Sequence, residues 1–536
     1  MSGRGAAERG RAGAIAVGSG IFISRIFGLV RQRVVSHFLG VGDAADVLGA
    51  ALRIPNFLQN LLGEGVLSAS FVPVYARLRA EGRDDDAARL ARALFGALAL
   101  VCAVAVVLGE AAAPWLVTLI AGGFDAAKRD VAVLLVRILF PGTALLVLSA
   151  WCLGVLNAHR RYFISYTSPV AWNLAIIGAL LTATRPDEGR AAVLVAVGAS
   201  VGGLLQFAVQ VPWVLQVLGR HRAAPPLPRT ATWRTPELAR VASNFWPVLL
   251  GRGAVQVSAW VDILIASNVM NGAVAVLNYA QNIALLPVSL FGMSLSASEL
   301  TEMATQSGAG VEQAIRDRMS ASLGAVAYFV VPSSAAFVLL GDVAAGAVLQ
   351  TGRFDRAATV WVWAVLAGSA VGLVAGTMGR LYNSAWYALH DTRTPVRIAL
   401  VRIALTAILG AVAALWLPDA AHFDRRWGVA ALTASAGCAA WIEFLLLRRA
   451  LDARIGPTRI RAGTMPRLWG AALVAAAAGW GVRLAVAGWS PLPLGGVVFA
   501  AFATAYFGTT LMMGIPEAAG VRRRIAARLA GNAGRR

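Results

Sequence analysis

Charge is scarce in this chain: Asp, Glu, Lys and Arg make up 14% of its 536 residues, where soluble domains carry about 25%. That composition points away from a soluble multi-domain enzyme. Cysteine is nearly absent, and Cys102, Cys152 and Cys438 lie far apart in apolar runs. Without a CxxC pair or a Cys/His cluster, neither a disulfide framework nor a structural zinc site is indicated. No HExxH, GxSxG or GxxxxGK[ST] pattern occurs, so there is no visible machinery for hydrolysing ATP. Asp84-Asp85-Asp86 has no second carboxylate cluster to complete a two-metal site and reads as a solvated, Arg-flanked loop.

Apolar side chains are abundant instead, at 58% of the chain with a mean hydropathy of +0.67. Long apolar runs recur from residue 14 to residue 515, and a spanning helix needs about 20 residues. The pattern predicts an all-α polytopic membrane protein of about fourteen helices. They fall near 13–39, 44–75, 91–120, 131–156, 165–184, 191–218, 240–268, 273–303, 318–340, 358–386, 396–417, 428–447, 468–488 and 492–515. Turn chemistry such as Gly122-Gly123, Asn271-Gly272 and Ser490-Pro491 separates them. Arg4, Arg9 and Arg11 ahead of an apolar stretch resemble a signal peptide, but Arg25, Arg31 and Arg33 interrupt that stretch. It is expected to be a retained first helix.

A net charge of +21 could imply a nucleic-acid partner, yet basic residues of membrane proteins collect in cytoplasmic loops. Counted on alternate sides of the expected spans, 31 Lys and Arg fall on the side of both termini and 8 on the other. Both termini are therefore expected in the cytoplasm, and the excess needs no nucleic acid. The segment 219–239, with Pro225, Pro226 and Pro228 among its arginines, divides six helices (1–218) from the remainder and reads as a cytoplasmic linker.

Nine arginines remain within or at the edges of spans: Arg25, Arg31, Arg33, Arg53, Arg137, Arg252, Arg380, Arg402 and Arg483. Each costs about 2.5–3.5 kcal/mol at a lipid-facing helix centre, so such residues face protein or a hydrated cavity. Arg33, Arg402 and Arg483 lie near helix ends, where snorkelling to the interface is the simpler expectation. Arg25 and Arg53 lie deeper. Carboxylates within spans are few: Asp46, Glu64, Asp262, Glu299 and Glu443. An arginine-rich first helix pair suits a pyrophosphate or similar anionic headgroup, because the guanidinium fork grips phosphate bidentately and stays charged. Pro55 removes a helical donor two residues after Arg53, a break tolerated where helices line a cavity. Gly368, Gly372 and Gly376 form successive GxxxG steps that predict close helix packing.

Several runs resemble the MurJ (MviN-type) lipid II flippases. These are Ser24-Arg25-Ile26-Phe27-Gly28-Leu29-Val30-Arg31, Gly40-Val41-Gly42-Asp43-Ala44-Ala45-Asp46, Arg53-Ile54-Pro55-Asn56, Glu64-Gly65 and Ser70-Phe71-Val72-Pro73. Arg137-Ile138-Leu139-Phe140-Pro141, Gly352-Arg353-Phe354-Asp355 and Tyr387-Ala388-Leu389-His390-Asp391 through Pro395 follow in order. The resemblance implies the fold of the multidrug/oligosaccharidyl-lipid/polysaccharide exporter superfamily. It divides the chain into an N-lobe (1–218), the linker, a C-lobe (240–447), two lipid-groove helices (448–515) and a basic tail (516–536). It also implies alternating-access flipping of lipid II, the undecaprenyl-pyrophosphate-linked disaccharide-peptide, to the outer leaflet of the bacterial inner membrane. No cofactor is implied; cell-wall synthesis proteins are conceivable partners beside membrane lipids. Carried over by position, Arg25, Arg31 and Arg53 engage the pyrophosphate, with Asp46 and Glu64 as further polar positions.

Departures from the family pattern are informative. Gln59-Asn60 stand where members often have a basic residue, Gln32 replaces a common acid, and Tyr279-Ala280-Gln281-Asn282 replaces the usual Tyr-Ala-Asp-Arg. Arg137, Arg252 and Arg380 are substitutes for the lost charge, and Asn282 is a candidate for a sugar hydroxyl or an interhelical bond. Some relatives hold sodium in the second lobe; Asp262, Asn383 and Asp391 offer hard oxygen ligands here. Sodium, protons and membrane potential all stay open as driving force. Other readings are a flippase for a different polyprenyl-linked glycan, a drug exporter, which the arginine excess disfavours, a non-transporting cell-wall scaffold, and a membrane-embedded transferase, for which no catalytic constellation is visible.

Overall fold

A computed structural model describes residues 3–184, 186–219, 258–289, 311–389, 391 and 393–523, with isolated positions between 237 and 256, and backbone alone at 3–18, 64, 69 and 311. Among the described residues every extended element is helical, and the β-geometry is one isolated bridge between Thr351 and Phe354. Ten helices among the described residues are long and apolar enough to cross a membrane. The chain is a multi-pass membrane protein.

Two compact units divide the chain, residues 1–275 with 351–354 and residues 276–350 with 355–536. The expected linker at 219–239 falls almost wholly outside the described residues.

Unit 1 starts with α1 (Gly3–Leu39) and α2 (Asp43–Leu62). The stretch expected as one helix, 44–75, is three: α2, α3 (Glu64–Ser70) and α4 (Val72–Ala80). Pro55 withdraws a donor inside α2, and Gly63 then adopts an extended conformation that ends it. Next come α5 (Asp84–Ile120), α6 (Ala126–Ala158), α7 (Tyr162–Thr167), α8 (Pro169–Leu181), α9 (Glu188–Gly219) and α10 (Ser258–Ser267). α6 runs through the middle, with Val147, Trp151, Cys152, Val155 and Leu156 buried against Phe71, Tyr75 and Leu98. Both cysteines of this unit are buried and free. The Asp84-Asp85-Asp86 run opens α5, where its charge complements the helix dipole. It is tied down: Arg79 meets Asp84, and Arg83 and Arg89 both meet Asp86.

Unit 2 takes most of α11 (Ala273–Pro287), then α12 (Val311–Leu339), α13 (Gly341–Leu349), α14 (Arg356–Ala388) and α15 (Arg393–Ala411). A π-helical turn at Val412–Trp416 and α16 (Leu417–Ala420) follow, then α17 (Trp427–Ile455), α18 (Thr464–Ala485) and α19 (Pro491–Met512). Side-chain caps start three of the long helices: Asp125 accepts from Lys128 N, Asp355 from Ala358 N and Asp391 from Thr394 N.

Small residues let the longest helices touch. Gly368 lies against Ala430 and Thr433, and Gly372 against Gly437, so α14 and α17 cross backbone to backbone. Gly376, the third of the expected series, meets nothing. In unit 1, Gly142 and Gly203 serve the same purpose between α6 and α9. A Cβ on Gly372 would fall on the Gly437 Cα. Gly372→Leu is therefore expected to destabilise unit 2 by about 1–3 kcal/mol as an overpacked contact, read as a lowered Tm of the detergent-purified protein beside an unshifted Gly376→Leu.

Candidate functional site

The family-like runs at the start of the chain place their charges on α1 and α2. Arg25 is exposed on α1, and Arg31, six residues on, lies about 120° away around the same helix. The two do not share a helix face. The Arg31 guanidinium sits 4.7 Å from the ring centroid of Trp172 on α8, a cation–π arrangement. That ring is itself fixed, since Trp172 Nε1 donates to the Ala199 carbonyl at 3.0 Å and Gly202 admits it against α9. Sequence reasoning missed Trp172, which sits 141 positions from its arginine in a generic apolar run.

α2 and α10 form a short antiparallel ladder inside unit 1. Asp262 lies within electrostatic reach of Arg53, the Phe57 and Trp260 rings are 4.5 Å apart, and Asn60 Nδ2 donates to Gln256 Oε1 at 3.1 Å. The ladder explains one departure from the family pattern: where a second cation is often found, Asn60 carries an amide that meets an amide. Asp262, expected as a sodium ligand, has an arginine as its neighbour.

Asp46 is engaged elsewhere. Buried at the start of α2, it accepts from Gly272 N at 2.6 Å, Ala275 N at 2.8 Å and Lys128 Nζ at 3.5 Å. Lys128, also buried, reaches Asp43 at 2.7 Å and Asn271 Oδ1 at 2.8 Å. Asp46 thus caps the first turn of α11, satisfying donors that a helix N-terminus leaves open. Glu64 opens α3, and its side chain lies outside the described residues, as do Arg252 and Glu299.

A second family run is explained by backbone geometry. Gly40 and Gly352 have φ of +56° and +55°, conformations that L side chains rarely adopt. Between them Arg353 N donates to the His37 carbonyl at 3.0 Å and Arg353 Nη1 to the Phe38 carbonyl at 2.8 Å. The loop closes over the end of α1.

In unit 2 two arginines expected to snorkel do not. Arg402 donates to Glu443 at 2.8 Å, and Arg483 grips Asp342 through both Nη atoms at 3.1 and 2.8 Å, joined there by Arg356 at 2.7 Å. Buried carboxylates claim them, because a charge at that depth is worth more paired than stretched toward water. Arg137 is exposed, with its Nε directed at the Glu110 carbonyl at 3.3 Å. Arg380 and Asn282 are exposed on α14 and α11.

Of the expected sodium ligands, Asp391 and Asn383 belong to unit 2. Asp391 accepts from Arg393 N, Thr394 N and Thr394 Oγ1 at 2.8–3.0 Å, bonds from Thr394 that hold its carboxyl below the usual carboxylate range. Its oxygens are occupied in starting α15. Asn383 Oδ1 is buried without a hydrogen-bond partner among the described residues. No group of three His, Cys, Asp or Glu side chains among those residues could hold a metal ion.

Asp46→Ala should cost about 3 kcal/mol, since it strips two backbone donors and leaves Lys128 with less compensation in a buried position. A lowered Tm, recovered only in part by Asp46→Asn, is the expected result of thermal unfolding in detergent.

Comparison with known proteins agrees with the family-like runs from Gly40 onward. A family model described as lipid II flippase MurJ matches residues 35–496. A probable lipid II flippase MurJ of Rhizobium tropici is 30% identical over 400 residues, 74% of either chain. The lipid II flippase MurJ of Burkholderia cenocepacia is 29% identical over 434 residues, 79% of this chain and 80% of that one. Among solved structures, a lipid II flippase MurJ in an inward closed conformation superposes with a TM-score of 0.74 at 19% identity, covering 93% of this chain and 98% of the other. An inward-facing multidrug resistance MATE family transporter of the MOP superfamily gives a TM-score of 0.61 at 14% identity, over 80% and 95% of the two chains. These two likenesses speak to the fold, and the family match speaks to kinship. The chain belongs to the MurJ family of lipid II flippases.

Proposed function

We propose that this chain translocates lipid II across the bacterial cytoplasmic membrane, from the inner to the outer leaflet, by alternating access, and that it is a transporter with no catalytic step. The observation that carries the reading is the family match over residues 35–496. The arginines of α1 and α2 support it. Arg25 and Arg31 carry guanidinium groups within an apolar helix, and among the described residues Arg31 is held over a fixed indole rather than by a carboxylate at hydrogen-bond distance. A guanidinium positioned by a ring face keeps its donors for a phosphate oxygen. Arg53, moderated by Asp262, gives the site a weaker third cation. Glu64 and Asn282 are assigned to the polar headgroup on position alone.

Driving force is assigned to the membrane potential ahead of sodium. Asp391 is committed to a helix cap, and moving a cationic group through the field is worth about 2.3 kcal/mol per charge per 100 mV. Transport that persists in sodium-free medium and falls when the potential is collapsed is the expected result.

Rescue of lipid II exposure on the outer leaflet, in bacteria depleted of their own flippase, tests the function. The parent chain is expected to restore it, Arg25→Ala/Arg31→Ala to abolish it at equal membrane expression, and Trp172→Leu to reduce it about tenfold, the loss of one cation–π restraint of roughly 1–2 kcal/mol. A well-inserted parent that fails to rescue would overturn the reading.

The 31-to-8 distribution of basic residues supports a cytoplasmic position for both termini. A C-terminal fluorescent-protein fusion is expected to fluoresce, and a C-terminal alkaline phosphatase fusion to be inactive.

A further inference from the structure

Two arginines of unit 2 lie near one carboxylate, and only one of them is bonded to it. Arg402 of α15 donates Nη1 to Glu443 Oε2 of α17 at 2.8 Å, and Arg380 of α14 lies within electrostatic reach of both. Glu443 is nearly buried, with 9% of its side chain exposed, while Arg402 is 41% exposed and Arg380 is exposed. At a rise of 1.5 Å per residue, Arg380 lies about 12 Å inside the C-terminal end of α14 and Arg402 about 14 Å inside the N-terminal end of α15. Both are well within their spans.

The charges do not balance. Two guanidiniums face one carboxylate, and among the described residues no acceptor engages the Arg380 guanidinium. A surplus cation inside a span calls for an anion that arrives with the ligand. Neutral groups extend the same face of α14. Asn383, one turn beyond Arg380, has a buried Oδ1 without a hydrogen-bond partner, and Tyr387, a turn further, is 44% exposed and near Glu443.

We propose that Arg380 and Arg402, with Glu443 as their shared counter-ion, form an anion site in unit 2 that takes the phosphate or pyrophosphate group of a lipid. The phosphate competes with Glu443 for Arg402 and binds Arg380 outright. Guanidinium forks match phosphate oxygens bidentately, and a multiply charged phosphate outbids a single carboxylate for two of them. A lipid is the source because exposure at membrane depth favours a ligand delivered by its own apolar chain. The proposal rests on the lipid II reading and extends it, adding a second foothold for the pyrophosphate remote in sequence from Arg25, Arg31 and Arg53.

The full chain in phosphatidylcholine nanodiscs, titrated with undecaprenyl pyrophosphate and separately with inorganic pyrophosphate, tests this. Arg380→Gln and Arg402→Gln are each expected to weaken lipid binding about tenfold, the loss of one charge-assisted contact. Glu443→Gln is expected to tighten it about threefold or more, since the competing carboxylate is gone; a purely structural ion pair predicts no gain. Arg402→Lys, which keeps the charge and the pairing, controls for misfolding and should retain intermediate affinity. If the parent binds the lipid and all four variants bind alike, or Glu443→Gln weakens binding, the unit 2 site is refuted while the lipid II reading stands. If inorganic pyrophosphate binds as tightly as the lipid, the lipid assignment is overturned. If the parent binds neither probe, both readings fall.

Discussion

Charge without bulk water is the constraint on which this structure turns. A guanidinium or carboxylate inside a span has to find its complement within the protein or receive it from a ligand. Asp46 and Lys128 solve the problem internally, with the carboxylate closing the open donors of α11 and the ammonium held by Asp43 and Asn271. Asp342 solves it with two arginines. Arg31 solves it with an aromatic face. Arg25 and Arg380 have no carboxylate at hydrogen-bond distance among the described residues, and they are among the residues for which an anionic lipid is proposed as the complement.

Those pairings depend on how closely helix backbones approach. Gly142 and Gly203 bring α6 and α9 into contact, and Gly198 and Gly202 seat α8 against α9. The last of these contacts sets the Trp172 ring in place, and the ring sets Arg31. A charge near the start of the chain is thus oriented by glycines about 170 residues away. In unit 2 the crossing of α14 and α17 at Gly372 and Gly437 brings the helices carrying Arg380 and Glu443 side by side. Packing and electrostatics are one arrangement here, because a Cβ at the crossing would move the charges apart.

Much of the fold was legible from hydropathy alone, since apolar runs of spanning length and the turn residues between them are local signals. The break of the second run into three helices was less so: Pro55 was visible, but the extended Gly63 depends on the segments it joins. The family motifs drew attention to the charged residues of α1 and α2. They did not reveal that Asp46 serves a helix terminus, that Asp262 sits by Arg53, or that Asn60 finds Gln256. Arg402 and Arg483 looked like snorkelling residues because sequence distance from a helix end was the available measure, and their carboxylate partners lie 41 and 141 positions away.

By itself the sequence determined the membrane class, the approximate spans, the bias of basic residues toward one side and the kinship carried by the first eighty residues. Each of these follows from composition or short-range pattern, in which every residue contributes nearly independently of the rest. Tertiary structure alone decided which charge meets which. The partners of Asp46 lie up to 229 positions away, and no periodicity encodes a pairing across that distance. Only the close approach of helices, settled by shape at a few glycines, brings such groups within the few ångströms where a charge in a low-dielectric interior can be satisfied.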